Sequence, residues 1–295
     1  MNASRRPAAT GTFYEADPAA LRRQVTRCFN HELGPGSVPE ASPGPPKHTV
    51  GLVCPHAGLM YSGPAAACSW GALAQDGTPE VIVILGPNHY GIGPDIAVPS
   101  VDSWATPLGE VEIADDVRSE LMRDFHPLRA NDDAHAREHS IEVQLPFMQV
   151  LFEGNAKILP IAISSPARSM VRSAEILQLP MLAQALAKAL KDRAAVIAAS
   201  TDFTHHEPQE SASQKDSQAL ACIQALDADR LLQTIDEQYI SACGPLGVAV
   251  MLKAARELGA TRSEVLRHYT SGDVGSGYHS VVGYAAVQIL REAPG

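Results

Sequence analysis

The chain has 295 residues, 45% hydrophobic and 19% charged, which is enough apolar material for one large α/β domain or two smaller ones and rules out a disordered chain. Its 23 Lys and Arg against 33 Asp and Glu leave a net charge of −10, and no basic run exceeds two residues, so nucleic acid is excluded as an expected partner. The apolar runs fall far short of the roughly 20 residues of a membrane span, and no apolar stretch follows the basic N-terminus, so a cytoplasmic protein without a membrane partner is expected.

In chain order, Asp17-Pro18 joins an N-cap to a first-turn proline, and Leu21, Val25 and Phe29 follow at helical period, predicting a helix that ends near His31. The stretch 34–46, rich in Pro, Gly and Ser, is a surface loop too close to the N-terminus to separate two domains. Three short, β-branched runs read as buried strands: 50–53, 81–85 and 195–199. Further strands are expected at 96–98, 109–113, 158–163, 265–269 and 281–289. Helices are expected at 64–73, 115–124, 140–152, 169–191, 209–226 and 246–258, with Pro146 and Pro180 kinking or dividing two of them. This alternation predicts a layered α/β fold on a mostly parallel sheet.

The endings of the three buried strands carry the chemistry. The first runs into Cys54-Pro55-His56-Ala57-Gly58, the second into Gly86-Pro87-Asn88-His89-Tyr90, and the third into Ser200-Thr201-Asp202-Phe203-Thr204-His205. Ligands of open α/β sheets bind outside the carboxyl ends of the strands, so these loops would meet if the strands are neighbours. Imidazole is the commonest transition-metal ligand, and His56 and His89 would then supply two of the three protein ligands of an open site. A single histidine of this kind could equally cap its own loop; three at equivalent positions favour a shared site.

Five cysteines without paired short spacing argue against a disulfide framework or a zinc knuckle. Cys243 precedes the helix expected from Pro245, where the dipole would ease loss of its proton and suit a metal ligand or a nucleophile; the alternative is a small buried apolar residue. Cys28, Cys68 and Cys222 fit buried helix faces, and Cys54 is open to both readings. His135-Ala136-Arg137-Glu138-His139 matches the H-x-x-E-H pattern of zinc proteases, but only over five residues. A local helix start suits His135 better, with Glu138, His139 and Glu142 supporting the crevice from behind its ligands. The glycine-rich 271–279 lacks the spacing of a phosphate loop and reads as a rim loop.

Taken together, G-T-F-Y at 11–14, C-P-H-A-G at 54–58, L-G-P-N-H at 85–89, E-H-S-I-E at 138–142, S-T-D-F-T-H at 200–205 and C-G-P-L-G at 243–247 resemble the MEMO family. Its prokaryotic members carry the label AmmeMemoRadiSam system protein B. The resemblance implies a single domain over 1–295, with a central, mostly parallel mixed sheet flanked by helices. That fold is similar to the class III extradiol dioxygenases, the non-haem iron enzymes that open catechol rings.

By position, the resemblance places His56, His89 and Cys243 at a metal site for iron or copper, with Asp202 and His205 beside it. His205, oriented by Asp202, would move a proton. Extradiol dioxygenases use two histidines and a carboxylate; the thiolate offered here favours copper(I), or iron with altered redox behaviour. Two other readings stand beside this one. Some family members are described as signalling adaptors, which suggests a non-catalytic protein whose crevice holds a peptide or partner; alternatively, Cys243 and His205 form a nucleophile pair. The crevice ligand would be a small molecule or peptide, and the family label implies radical S-adenosylmethionine and AMMECR1-type proteins as partners.

Overall fold

The computed structural model describes residues 3–164 and 174–292. The N-terminal half contains β1 (Ser4–Arg5), α1 (Pro18–Asn30), β2 (Thr49–Cys54), α2 (Leu59–Asp76), β3 (Val81–Pro87), β4 (Ile96–Val98), β5 (Ser103–Thr106), β6 (Gly109–Glu112), α3 (Asp115–Asp124), β7 (Arg129–Ala130), α4 (Asp133–Ala136) and α5 (Leu145–Phe152). Then come β8 (Lys157–Ile163), α6 (Ala174–Leu190), β9 (Ala195–Ser200), β10 (His205–Glu207), α7 (Gln209–Gln224), α8 (Ala228–Glu237), α9 (Pro245–Glu257), β11 (Ala260–Thr270) and β12 (Val281–Arg291).

One large mixed sheet has the order β10-β12-β2-β9-β3-β8-β4-β7, with β11 paired to β12. Strands β2, β9, β3 and β8 run parallel, while β12 is antiparallel to β2 and β4 to β8. All six residues of β2 and all seven of β3 are buried, so neither strand alternates, as expected of strands covered on both faces. Helices α1, α2 and α5 pack together, with α2 against β2 and β12, whereas α9 joins α6 and α8 and lies on β9, β3 and β2. A small second sheet, β1-β5-β6, pins the N-terminus to the body of the protein.

The register fixes where the loops emerge. Cys54 pairs with Ser200 and Leu85 with Ala199, so the β2, β9 and β3 ends lie on one edge of adjacent strands. His56 and Asp202 each follow two residues beyond a paired position.

Several elements differ from expectation. Helix α2 starts at Leu59 rather than 64, because Pro64 sits inside it instead of opening it. Proline there removes an N–H and disturbs the ladder, and the Tyr269 hydroxyl enters the gap, accepting from the Ala65 N–H at 3.3 Å and donating to the Tyr61 carbonyl at 2.7 Å. Pro146 opens α5 after a short 3-10 turn (Glu142–Gln144) and so does not divide it; Pro180 lies within a continuous α6. Residues 169–173 of the expected helix lie outside the described residues. Helix α8 was not expected, although Asp227 caps it through the Arg230 N–H and Ala228, Leu231, Leu232 and Ile235 form its buried stripe. The glycine-rich rim loop folds partly into a 3-10 turn (Ser271–Val274) held by a Thr270–Asp273 capping box. Among the described residues, no helix is long and apolar enough to cross a membrane.

Candidate metal centre

The aligned strand ends bring His56 and His89 together, with ring centroids 5.3 Å apart. A third imidazole joins them: His139 stacks on His89 at 4.7 Å and stands edge-on to His56 at 5.5 Å. One ring nitrogen from each of His56, His89 and His139 lies within 4.8 Å of the other two. On its far side His139 carries the Phe13 ring, stacked at 4.1 Å. His139, expected only to support the ligands, thus brings a possible ligand atom into the group itself.

Cys243, expected as the third ligand, comes up beside His56 from just before α9 but lies outside the group of three imidazoles whose ligand atoms are all within 4.8 Å of one another. Its Sγ lies 3.2 Å from His56 Nε2 and accepts from the Asp202 N–H at 3.1 Å, and its own N–H donates to the Asp202 carbonyl. Gly244 makes the approach possible, since a Cβ there would stand 2.4 Å from the Ser200 carbonyl oxygen. Asp202 uses its carboxylate to accept from the His56 backbone N–H at 2.8 Å. It does not make the hydrogen bond that orients His205; the His205 Nδ1 donates instead to the Ser241 carbonyl at 2.8 Å. The reason is geometric, because β10 carries His205 toward the half-exposed rim beside Ser241.

The segment 135–142 is not a helix carrying two histidines on one face. Helix α4 ends at Ala136, before Glu138, and its residue His135 is buried with its ring edge-on to Trp104 at 5.5 Å. Side chains hold this irregular stretch in place. Glu138, fully buried, accepts from the His89 backbone N–H at 2.7 Å and ring Nδ1 at 2.9 Å, and from the Ser140 N–H at 2.9 Å.

Behind it, the Arg5 guanidinium donates to the His135 and Glu138 carbonyls at 2.8 and 2.7 Å and pairs with Glu142 at 2.5 Å, while stacking over Trp104. Glu142 also accepts from the Ala8 and Ala9 N–H groups and the Tyr14 hydroxyl, so four donors meet its two oxygens. Of the expected supporting residues, Glu138 touches His89 directly, whereas Glu142 acts one layer further out. Arg5 was missed by sequence reasoning, which offered no local signal for a partner more than 130 residues away.

Electrostatics favour neutral rings at His56 and His139. Burial, reinforced by the neighbouring His139 and His89, holds His56 well below its usual pKa. Burial brings His139 down to about 4 despite the opposing Glu138. Burial alone would raise Glu138, but the hydrogen bond from His89 and the Ser140 N–H bring it down to about 2. Asp202 is raised by burial, against the pull of His205 and the His56 N–H. Cys243 departs from expectation: desolvation and the Asp202 charge push its thiol well up, outweighing the helix N-terminus. Without a cation beside it, Cys243 is a neutral thiol.

Fold and site define an α/β protein with a candidate imidazole metal centre at the carboxyl edge of its parallel strands. A family model described as Memo-like protein matches residues 5–288. A MEMO1 family protein of Methanopyrus kandleri is 41% identical over 97% of this chain and 99% of its own length, and one from Ignicoccus hospitalis is 43% identical over 96% and 98%. The chain belongs to the MEMO family. Among solved structures, an uncharacterised protein from Escherichia coli K12 superposes with a TM-score of 0.49 at 15% identity, covering 80% of this chain and 99% of that one.

Proposed function

We propose that the protein is a metal-dependent oxidoreductase of dioxygenase-like type, holding iron or copper at His56, His89 and Cys243 with His139 as a further imidazole donor. The observation that carries this reading is the convergence of three imidazoles with ligand atoms within 4.8 Å of one another. The three imidazoles fit such an ion, and Cys243 stands beside one of them. His89 has its Nδ1 bound to the Glu138 carboxylate and His56 its Nδ1 to Ser200, the backing that metal-ligating histidines characteristically have. The 3.2 Å between Cys243 Sγ and His56 Nε2 is close to the roughly 3.5 Å that typical metal–nitrogen and metal–sulfur bonds impose on neighbouring tetrahedral ligands.

A bound ion would supply a redox centre and a Lewis acid for a small molecule or peptide in the crevice. The protein's own groups do the rest. Glu138 holds the His89 ring and Ser200 the His56 ring, Asp202 fixes the turn after β2 by its bond to the His56 N–H, and Cys243 would bind an ion as the thiolate, its proton passing to solvent. His205 donates from Nδ1 to Ser241, which leaves Nε2 as the nitrogen that takes and returns a proton.

The test is anaerobic purification with metal analysis, followed by iron(II) and copper(I) titration of the wild type and of a His56→Ala/His89→Ala variant. Binding in the wild type and none in the folded double variant is expected; unchanged stoichiometry in that variant refutes the reading.

A further inference from the structure

His56 is tied to the core by a run of hydrogen bonds whose directions chemistry dictates. The Trp70 indole N–H can only donate, and it meets Gln144 Oε1 at 2.9 Å. The Pro55 carbonyl can only accept, and Gln144 Nε2 meets it at 2.9 Å. The amide therefore has one orientation. Its other N–H donates to Ser200 Oγ at 2.9 Å. Ser200 has a single hydrogen, which goes to the Ser140 carbonyl at 2.7 Å. The Ser200 oxygen facing His56 Nδ1 at 2.9 Å can then only accept, so Nδ1 carries the ring proton and Nε2 is bare.

We propose that Gln144 and Ser200 are positioning residues that set the tautomer of His56, keeping Nε2 as the lone-pair nitrogen directed at Cys243 and at any ion the centre holds. Trp70, Gln144, Ser200 and His56 are all at most 1% exposed, so bulk water does not compete for these bonds. The opposite tautomer would either set two lone pairs against each other between Nδ1 and Ser200 Oγ or turn the Ser200 hydroxyl to Nδ1 and strip the Ser140 carbonyl of its donor, in a place with no solvent to make good the loss. The task given to the bare nitrogen rests on the metal reading above; the tautomer itself rests on the hydrogen bonds.

The experiment is a two-bond proton–nitrogen spectrum of the full chain labelled with ¹⁵N-histidine, recorded metal-free above neutral pH, with His56→Gln identifying the His56 signals. Cobalt(II) titration by absorption follows on the same samples. In the wild type, His56 should show a pyrrole-type Nδ1 and a pyridine-type Nε2. Ser200→Ala removes the acceptor, so the Nε2–H form should become the majority and the cobalt(II) Kd should rise roughly tenfold or more. Gln144→Met frees the Ser200 hydroxyl to rotate and should populate both tautomers.

A wild type in the Nε2–H form overturns the proposal, as does a folded Ser200→Ala variant that keeps only the Nδ1–H form. If Ser200→Ala does not fold, Gln144→Met decides by the same spectrum, and an unchanged single tautomer there overturns it. A wild type with the Nδ1–H tautomer that takes up no cobalt(II) removes the metal reading and supports the tautomer assignment.

Discussion

Glu138 grips His89 twice, its Oε2 accepting from the backbone N–H and its Oε1 from ring Nδ1. One carboxylate thereby sets both where the loop after β3 stands and which ring nitrogen faces the crevice. Because Glu138 is itself held by the His139 and Ser140 N–H groups, the second and third imidazoles share a single support.

Glu138→Gln should therefore cost metal affinity out of proportion to stability. The amide can replace at most one acceptor at the His89 ring and carries no charge. Cobalt(II) affinity is expected to fall about 10–100-fold, read by titration, with the far-ultraviolet circular dichroism unchanged.

The same residue gives stability a pH signature. The folded-state pKa of Glu138, about 2, lies below its ordinary 4.5, so the folded state binds this proton less readily than the unfolded chain. The stabilisation is complete above about pH 4.5 and is lost as pH falls toward 2. In melting curves of metal-free protein, the gap in Tm between wild type and Glu138→Gln should narrow across that window.

Arg5→Met removes the cation beside Glu142 in a site closed to water. Leaving a buried carboxylate unpaired costs about 3–5 kcal/mol, measurable as a lower urea midpoint. The double variant Arg5→Met/Glu142→Gln should lose less than Arg5→Met alone, since no orphaned charge remains and an amide oxygen is kept for the Ala8, Ala9 and Tyr14 donors.

Cys243 should alkylate slowly at neutral pH in metal-free protein, because its pKa is raised and the neutral thiol is a poor nucleophile. Bound metal should slow it further by occupying the sulfur, and equal rates with and without metal would argue against ligation. Cys243→Ser should weaken copper(I) binding sharply, whereas Cys243→Asp recreates two histidines and a carboxylate and should shift preference toward iron(II).

Gly244→Ala tests how Cys243 is delivered. The added Cβ would meet the Ser200 carbonyl, a backbone atom that cannot step aside. A loss of about 1–3 kcal/mol is expected, together with weaker metal binding as the start of α9 is pushed from the strand edge.

The strands were legible because β2, β3 and β9 are apolar runs with abrupt polar endings, a signal contained within a few residues. That ligands gather at their carboxyl ends followed from the general behaviour of such sheets, whereas their adjacency, which makes the site, stood in the sequence only as a condition. The role of His139 was not legible, since 137–141 has neither helical nor strand period. Its shape is imposed by Arg5, Glu138 and Glu142, whose bonds span the sequence. The orientation of His205 was also beyond reach, because Ser241 reaches it from a loop with no motif of its own. Helix α8, by contrast, advertised its cap and stripe and could have been found.

The distances along the chain between interacting groups set an order of events during synthesis. Arg5 leaves the ribosome early, yet the residues it binds come 130, 133 and 137 positions later, and His56 waits 187 residues for Cys243. The strand that seals β2 on its open side, β12, emerges last of all. A nascent chain can therefore join β2 to β3 through β9 while Cys243 and β12 are still to come, and for that interval His56 stands without the sulfur beside it and β2 without its sealing strand. Any ion bound at this centre would therefore find the Cys243 sulfur beside His56 only after some five-sixths of the chain has been made.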